Sequence, residues 1–392
     1  MPDTITIPPG MRIAFDARVV QGHFPGIGRY AIRLLDAIAV AAPETPVVAF
    51  YVPNAAHLGE SLASLRSRSN VSFHPAPPIF APWGQVIMRR LIQRSGADIV
   101  HSPYYVAPYF SPAPLVVTVH DLIPLDRSHR PPRDVDRWLY PWLNRLAARR
   151  AAHIITVSRH AAAEIRTRLG VPPERLSVIP EAPAPSFRPA SEAAVAEMRA
   201  RLGLTAPYLL HVGINKPHKN QAALIRAVAR LCREGSLGEA ILVLAGPRDP
   251  RYPDPRREAE AAGIGEQVRV LGPVTDEALV ALYSDALAFV FPSLAEGFGL
   301  PLLEAMACGA PVACSNRPPL TEVAGQGAPA FDPTDPAAIA AALRPLLRDP
   351  ALRAAQRTRS LGRAAEFSWA RAAEQTIAVY RRVVTNGWKV KG

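Results

Sequence analysis

The sequence predicts an α/β protein with two parallel-sheet domains that face a central cleft. At 392 residues, the chain exceeds the size of one ordinary hydrophobic core. Short apolar runs typical of buried strands alternate with helical patterns on both sides of a proline-rich stretch, residues 180–189, which carries neither periodicity. Such a stretch is typical of a stiff linker. We therefore place an N-terminal domain at residues 1–185 and a C-terminal domain at residues 186–370.

After a loose leader over residues 1–10, the N-terminal domain begins with a predicted strand at 11–15. A glycine-containing loop, residues 21–30, follows and opens a helix from about residue 29 to residue 42. This order of strand, loop and helix is typical of nucleotide-binding α/β domains, but the full dinucleotide pattern is missing and NAD is not indicated. Further strands are predicted at 46–52, 71–74, 99–101, 115–119 and 154–157.

Polar residues follow several of these strands, namely Asp16, His101, His120 and Ser158. Ligands collect at the carboxyl ends of the strands in open α/β sheets, so we expect these side chains to line one crevice. A histidine at a strand end is often purely structural, and both interpretations remain open for His120 and His101.

The C-terminal domain repeats the same alternation of strand and helix. A strand at 208–212 leads into a loop at 213–220 and a helix at 221–233. Further strands are predicted at 241–245, 268–271 and 287–291. Further helices are predicted at 276–284, at 336–347 and from residue 369 to about residue 385.

The segment 291–315 carries the clearest functional pattern, which reads as strand end, glycine loop, short helix, glycine stop and strand. Gly297 and Gly299 permit a close approach of the backbone to a ligand. The N–H groups at the start of such a helix bind anions such as phosphate. Glu296 and Glu304 are suited to accept hydrogen bonds from sugar hydroxyls. An ordinary strand–helix–strand crossover is the alternative interpretation.

Lysine occurs only at positions 216, 219, 389 and 391, so two of the four lysines lie in the loop 213–220. An ammonium group is a compact, mobile point charge that suits phosphate oxygens. Lys216 and Lys219 therefore indicate a phosphate site, with chance clustering as the alternative.

The net charge of +12 is compatible with nucleic acid, an anionic membrane surface or anionic substrates as partners. A basic amphipathic helix predicted at 83–94 either docks on a membrane or an anionic acceptor, or packs its apolar stripe on the sheet. No apolar run is long enough to span a membrane, and no signal-peptide pattern is present. The three cysteines lack ligand-like spacing. We therefore expect a cytoplasmic protein, with peripheral membrane contact left open.

The two loops of the C-terminal domain supply complementary parts of one site. Lys216 and Lys219 provide cations, and the loop 297–299 with its helix provides N–H donors, a combination that would hold a diphosphate. With Glu304 at a ribose and Glu296 at a second sugar, the ligand is a nucleotide-diphosphate sugar. No Asp-x-Asp pair follows a strand and no metal-ligand spacing occurs, so we expect no metal and no other cofactor.

The pattern Glu-x7-Glu within EGFGLPLLEAMACGAPV, residues 296–312, resembles the signature of retaining glycosyltransferases with the GT-B fold, family 4 in particular. Other segments that resemble this family lie at 15–30, 116–125, 154–165, 208–220 and 367–381. The resemblance spans nearly the whole chain and is greatest to a bacterial branch of mannosyltransferase-like enzymes. It implies two Rossmann-like domains and a C-terminal helix, residues 371–392, that returns to the N-terminal domain.

The resemblance also implies roles for individual residues. Lys219 matches the lysine that holds the diphosphate, Glu296 the carboxylate at the transferred sugar and Glu304 the carboxylate at the ribose. His120 matches a histidine at the donor sugar and phosphate, so that His120, Glu296 and Lys219 are the implied catalytic residues. One departure is Ile214, where many family members carry an arginine. The other positions implied to border the donor are Gly28, Asn215, Lys216, Gly297, Phe298, Gly299 and Leu300.

Enzymes of this family retain the anomeric configuration, and the leaving phosphate helps to deprotonate the acceptor hydroxyl. We therefore expect transfer of a hexose, preferably mannose from GDP-mannose, to a saccharide or lipid-linked acceptor in polysaccharide or glycolipid synthesis. A UDP-sugar donor for glucosyl or GlcNAc transfer is the alternative within the same chemistry. From other classes, the alternatives are a non-catalytic sugar-nucleotide-binding protein and a nucleic-acid-binding protein. Arginines that lie on helices without interleaved aromatic residues argue against nucleic acid.

Overall fold

Two parallel β-sheets organise the chain. The structure is a computed structural model that describes residues 10–22, 25–53, 63–81, 83–125 and 134–385. It divides into unit 1, which comprises Met1–Glu181 and Ser368–Gly392, and unit 2, which comprises Ala182–Phe367. The first division between the units falls at residues 181/182, inside the proline-rich stretch 180–189.

Unit 1 contains a seven-stranded sheet in the order β3-β2-β1-β4-β5-β6-β7, with every neighbouring pair parallel. The sequence did not predict β7, which is short, lies at the sheet edge and is only partly buried, so it lacks a continuous apolar run. The strands are β1 Ile13–Asp16, β2 Val47–Tyr51, β3 Val71–Pro75, β4 Ile99–Ser102, β5 Leu115–Thr118, β6 His153–Thr156 and β7 Leu176–Val178.

Unit 2 contains a six-stranded sheet in the order β10-β9-β8-β11-β12-β13, again with parallel pairs. Its core packs the apolar faces of these strands against helices, with Leu209, Leu242 and Val290 fully buried. The strands are β8 Tyr208–Val212, β9 Ile241–Ala245, β10 Val268–Gly272, β11 Ala288–Phe291, β12 Val312–Ser315 and β13 Ala330–Phe331.

Helices form most of the connections between successive strands, as is usual in a parallel sheet, but among the described residues none lies between β4 and β5, and three follow β13. They are α1 Pro25–Ala41, α2 Ala63–Arg66, α3 Gly84–Ser95, α4 Asp134–Arg150, α5 Arg159–Leu169, α6 Glu192–Leu202, α7 Gln221–Arg233, α8 Pro255–Ala261, α9 Asp276–Asp285, α10 Leu300–Ala307, α11 Leu320–Ala324, α12 Pro336–Arg348, α13 Pro350–Ala364 and α14 Trp369–Thr385. The final helix, α14, belongs to unit 1, where it packs on α1. Several predicted segments lie outside the described residues: 1–9 of the leader, His23 and Phe24 of the glycine loop, and 386–392 of the returning segment.

The glycine loop of unit 1 is shorter than the sequence predicted. Helix α1 begins at Pro25 and not near residue 29, because proline is favoured at the first helical position. Gly28 therefore lies in the first turn of a helix. A Cβ atom at Gly28 would lie 3.4 Å from the Val19 carbonyl oxygen, so the glycine lets α1 pack closely on the turn after β1.

Each sheet reverses its strand order at one point. In unit 1 the reversal lies between β1 and β4, and in unit 2 between β8 and β11. The connections at such a point leave the strands in opposite directions, which opens a crevice at the carboxyl ends. In unit 2 the loops after β8 and β11 are the two that carry Lys219 and Glu296, so the fold itself brings these segments together.

Candidate active site

Lys219 ends a single 3₁₀ turn, Pro217–Lys219, in the loop after β8. The turn is fixed by Asn220, whose positive φ of 57° starts α7. The Asn220 amide donates to the carbonyl oxygens of Pro292, at 3.1 Å, and Pro333, at 2.7 Å. This side chain therefore ties the lysine-bearing turn to the loop after β11.

Lys219 meets Glu296 across these two loops. Its Nζ lies 2.7 Å from Glu296 Oε1, and the two side chains are only 14% and 11% exposed. The same ammonium lies 5.1 Å from the centre of the Phe291 ring, which adds a cation–π contact. The structure thus places two of the three implied catalytic residues in direct contact at the switch point of unit 2.

His211 lies behind this ion pair, in the interior of β8. Its Nδ1 is 3.0 Å from the Val290 carbonyl oxygen, which can only accept, so the proton lies on Nδ1. Its Nε2 is buried and has no hydrogen-bond partner among the described residues. Burial lowers the pKa of His211 to about 4, and the nearby Lys219 ammonium acts in the same direction. His211 is therefore an uncharged imidazole that lies next to the Lys219–Glu296 ion pair.

Two glycines permit unusually close packing at this sheet edge. Gly246, after β9, has a φ of 131°, and a Cβ there would lie 2.6 Å from the Gly213 carbonyl oxygen. Gly299 has a φ of 106°, and a Cβ there would lie 2.5 Å from Leu320 Cδ2. Both positions disfavour a side chain. Gly246 lets the loop after β9 pack on the loop after β8, and Gly299 lets the loop after β11 pack on α11.

Gly299 is also the N-cap of α10, and its carbonyl oxygen accepts from the N–H groups of Leu302 and Leu303. Pro301 has no N–H, so the start of this helix offers a ligand the Leu300 N–H and the positive end of the helix dipole.

Phe298 is buried, and its ring meets Phe367 edge-on at 6.0 Å. The Cζ atom of Arg363 lies 4.8 Å from the centre of the Phe367 ring, and Nε of the same side chain donates to the Val323 carbonyl oxygen at 2.9 Å. The side chain of Phe298 therefore anchors the glycine loop against Phe367.

Glu304 lies within α10 and is 4% exposed. Its negative charge, together with the larger effect of burial, raises the pKa of Cys308 to about 12. The cysteine is therefore a neutral thiol, and Glu304 is the charged group of this helix.

The remaining predicted residues after β8 line a cavity of about 250 Å³. Lys216 contributes to its wall, and its charge is among those that lower the pKa of Asp249, after the hydrogen bonds of Arg251. Asn215 also lines it, but its amide donates to the Asp249 and Pro253 carbonyl oxygens and accepts from the Asp249 N–H. Asn215 therefore fixes the loop after β9.

His120 in unit 1 is held on three sides. Its Nδ1 lies 3.0 Å from Glu181 Oε1, and its Nε2 lies 3.1 Å from the Pro103 carbonyl oxygen. The Tyr30 ring meets the imidazole edge-on at 4.6 Å. His120 comes just after β5, close to the point at which the first sheet reverses its strand order.

His101 lies deeper in the same unit and links three elements. Its Nδ1 lies 2.5 Å from Tyr380 Oη on α14, and its Nε2 lies 2.9 Å from Thr118 Oγ1. Thr118 in turn lies 3.1 Å from Tyr30 Oη. Burial lowers the pKa of His101 to about 3, so this histidine is a neutral link between the last helix and the sheet.

Comparison with known proteins identifies the family. Residues 25–182 match the model described as Glycosyltransferase Family 4, and residues 196–363 match the model described as Glycosyl transferases group 1. The O-antigen chain mannosyltransferase B of Escherichia coli is 31% identical over 382 residues, which cover 95% of this chain and 100% of that protein. The chain belongs to glycosyltransferase family 4.

Solved structures show the same GT-B fold for this family 4 glycosyltransferase. A sucrose-phosphate synthase from Thermosynechococcus elongatus superimposes with a TM-score of 0.76 at 23% identity, over 96% of this chain and 100% of that one. Anabaena Alr3699/HepE, in complex with UDP and glucose, gives a TM-score of 0.72 at 20% identity, over 94% and 98% of the chains. The predicted fold of two Rossmann-like domains is confirmed.

The structure also identifies a residue of this glycosyltransferase that sequence reasoning missed. Glu181, the partner of His120, lies in the stretch that the sequence marked only as a linker, and its side chain is nearly buried. The isolated carboxylate between two prolines gave no periodic signal. Within the described residues, no group of three or more histidine, cysteine, aspartate or glutamate side chains is arranged to hold a metal ion. None of the helices in those ranges is long and apolar enough to cross a bilayer.

Proposed function

We propose that this glycosyltransferase moves mannose from GDP-mannose to a saccharide or lipid-linked acceptor with retention of the anomeric configuration. The observation that carries the proposal is the meeting of Lys219 and Glu296 at the switch point, beside the start of α10. A cation, a carboxylate and a helix N-terminus are the three groups that a diphosphate linked to a sugar requires.

The proposed roles follow from charge and position. Lys219 and the Leu300 N–H at the start of α10 bind the diphosphate, and Lys216 adds positive charge in the same loop as Lys219. Glu296 binds hydroxyls of the transferred sugar once the diphosphate has taken over its lysine. Glu304 accepts from the ribose. These groups stabilise the charge that develops on the leaving diphosphate.

Retention follows, in this proposal, from substitution on one face of the sugar. The acceptor oxygen bonds to the anomeric carbon as the bond to the diphosphate breaks, and a phosphate oxygen takes the hydroxyl proton. Glu296 begins the reaction paired with a lysine, which suits a carboxylate that positions hydroxyls and is held away from nucleophilic attack.

Two nucleotide sugars are candidates for the donor, and GDP-mannose is the one that we propose. The mannosyltransferase name of the Escherichia coli relative favours mannose. The Anabaena structure, described as a complex with UDP and glucose, favours a UDP-sugar as the second candidate. A UDP-sugar requires the same diphosphate contacts as GDP-mannose and differs from it only in the base and the sugar.

A saccharide acceptor is supported by an aromatic cluster that follows β4 in unit 1. The rings of Tyr104 and Tyr105 are 4.2 Å apart, and those of Tyr105 and Tyr140 are 4.9 Å apart. All three tyrosines are partly exposed. Such rings offer an apolar face with a polar edge, which suits the alternating C–H and hydroxyl groups of a sugar.

A lipid-linked acceptor is supported by the surface of α3. Gly84, Met88 and Ile92 face inward, so this stripe packs on unit 1. Trp83, 62% exposed, and Val86, 56% exposed, remain outside beside arginines of the same helix. An anionic bilayer surface fits this combination of apolar anchors and positive charge. Binding to vesicles that contain anionic lipid should weaken in Trp83→Ala, and equal binding by wild type and variant would overturn this part.

The decisive experiment screens nucleotide sugars. Purified protein is incubated with GDP-mannose, UDP-glucose and UDP-GlcNAc, and thermal stabilisation and donor hydrolysis are measured for each. We expect GDP-mannose to give the largest effect. With a saccharide acceptor added, we expect NMR of the transfer product to show an α-linked mannose. A preference for a UDP-sugar would mean that the donor is that UDP-sugar and not GDP-mannose. A β-linked mannose in the product would contradict retention of the anomeric configuration.

A further inference from the structure

Both ring nitrogens of His120 face hydrogen-bond acceptors. Nδ1 lies 3.0 Å from Glu181 Oε1, and Nε2 lies 3.1 Å from the Pro103 carbonyl oxygen. A carbonyl oxygen only accepts, and an ionised carboxylate only accepts. When Glu181 is ionised, the two hydrogen bonds form together only if both nitrogens carry a proton, so this pair of contacts favours the imidazolium form.

The other groups around His120 favour the same form. Asp121, the next residue, adds a second negative charge, after the larger contribution of Glu181. His101 approaches from β4, but it is neutral and hydrogen-bonded to Thr118. Tyr30 from α1 presents its ring and not its hydroxyl, which lies near Thr118.

We propose that Glu181 is a positioning residue that keeps His120 doubly protonated, so that His120 acts on the substrate as a cationic N–H donor and not as a base. The inference rests on the proposed function, because the substrate oxygen that receives this hydrogen bond belongs to the sugar nucleotide. On binding, Nε2–H exchanges the Pro103 carbonyl oxygen for that substrate oxygen. Glu181 keeps its bond to Nδ1 and maintains both the charge and the orientation of the ring.

The chemistry of the step assigns the acceptor proton elsewhere. A doubly protonated imidazole has no lone pair with which to accept a proton. The proton of the acceptor hydroxyl therefore goes to the departing phosphate oxygen as the new C–O bond forms. His120 lowers the cost of the negative charge on that phosphate through a charge-assisted hydrogen bond.

Burial and pairing act on His120 in opposite directions. Burial lowers its pKa, but the hydrogen bond and charge of Glu181, together with the Pro103 carbonyl group and the charge of Asp121, outweigh burial, and the net shift is upward from the ordinary value. Glu181 is itself only 7% exposed, so solvent screens the pair weakly. Loss of the carboxylate should leave only the smaller effects of the Pro103 carbonyl group and Asp121 to oppose burial, so the pKa of His120 should fall.

The first test is NMR of the full chain labelled with ¹⁵N-histidine. The chain has ten histidines, and the His120 signal is identified by its loss in His120→Gln. In the wild type at pH 7.5 we expect both His120 nitrogens to carry protons. In Glu181→Gln we expect a neutral imidazole at the same pH. A neutral His120 in the wild type, or an unchanged titration in Glu181→Gln, would overturn the proposal.

The second test compares pH profiles of kcat/KM. Because removal of the carboxylate lowers the pKa of His120, the imidazolium form should be depleted at pH 7.5 in Glu181→Gln, so activity should fall about tenfold or more and recover as the pH is lowered. Glu181→Asp should rescue part of the activity at pH 7.5 because it restores the charge. A deficit that is the same at every pH would show that Glu181 is structural only.

A matched control is available in the same unit. On α5, Glu164 Oε2 lies 3.9 Å from His160 Nε2. Glu164→Gln therefore removes the carboxylate of a second His–Glu pair, which lies at the surface. It should leave the His120 signal and the pH profile unchanged. Protonated His120 without any transfer activity would count against the proposed function alone, whereas transfer with neutral His120 would count against this inference alone.

Discussion

Lys219 Nζ and Glu296 Oε1 lie 2.7 Å apart, so the two groups assigned to the donor neutralise each other before the donor arrives. The contact joins residues from two different loops, and both side chains are largely buried. In the proposed function, a diphosphate would therefore compete with Glu296 for the lysine. The exchange would free the carboxylate when the sugar is present and so couple binding of the phosphates to positioning of the sugar.

This competition predicts opposite effects of two substitutions on nucleotide binding. Lys219→Ala should weaken binding of GDP and lower transfer by about 100-fold or more, because it removes a cation aimed at the leaving group. Glu296→Ala should also lower transfer strongly, yet it should tighten binding of GDP without sugar. The gain is about 1 kcal/mol, or roughly 5-fold, the size of a partly exposed ion pair. Calorimetric titration with GDP measures both.

Glu234→Ala is the control for this pair. It removes an exposed ion-pair partner of Arg230 at the far end of α7 from the site, and it should change neither GDP affinity nor transfer. Weaker GDP binding in Glu296→Ala would show that the carboxylate does not compete for Lys219. Unchanged transfer in both site variants would remove these residues from the active site.

The second prediction concerns the packing of the loops beneath the site. Gly246→Ala should lower the free energy of unfolding by at least about 2 kcal/mol, because the new Cβ meets the Gly213 backbone and the φ of 131° is unfavourable for alanine. Gly272→Ala is the matched control, since Gly272 also has positive φ but has nothing within 4 Å of a Cβ. Its cost should be about 1 kcal/mol. Urea unfolding compares the two, and equal costs would contradict the role of close packing.

The strands and helices around the site were predictable because their residues follow simple periods. Continuous apolar runs such as Leu115–Thr118 mark buried parallel strands, and the glycines and proline around α10 mark its start. The sequence placed Lys219 and Glu296 in one site because both lie in loops that follow strands of the same predicted domain and offer complementary groups to a diphosphate sugar. Their direct pairing was not predictable, because it depends on the conformations of two long side chains.

Glu181 and the start of α1 illustrate what sequence patterns leave out. The partner of His120 comes from a stretch without periodicity, and only the folded chain brings it within 3.0 Å of the imidazole. The glycine loop was predicted too long because its glycines masked a helix that begins at Pro25. Strands β7 and β13 were missed because each is very short.

The third prediction concerns metal ions. We expect transfer to continue at an unchanged rate in the presence of EDTA. Lys219, Lys216 and the Leu300 N–H at the start of α10 supply the positive charge that a divalent ion would otherwise bring to the diphosphate. The measurement is the initial rate of transfer with and without the chelator. Loss of activity that added Mg²⁺ or Mn²⁺ restores would contradict it.

The fourth prediction is a loss of stability in acid that originates in buried neutral histidines. Burial lowers the pKa of His211 to about 4 and that of His101 to about 3, whereas both protonate near 6.5 in the unfolded chain. As the pH falls below 6.5, the unfolded state binds protons that the folded state does not, so stability decreases. Each histidine should remove up to about 2 kcal/mol between pH 7 and pH 5.

His211→Asn measures the contribution of His211 to this loss of stability in acid. The amide can still donate to the Val290 carbonyl oxygen but does not titrate, so the difference in unfolding free energy between pH 7 and pH 5 should be smaller than in the wild type. His120 acts with the opposite sign, because its pKa is raised and its contribution is lost as the pH rises through that value. It is unchanged in this comparison and cancels. An equal pH dependence of wild type and His211→Asn would mean that His211 is already protonated, or solvated, in the folded protein.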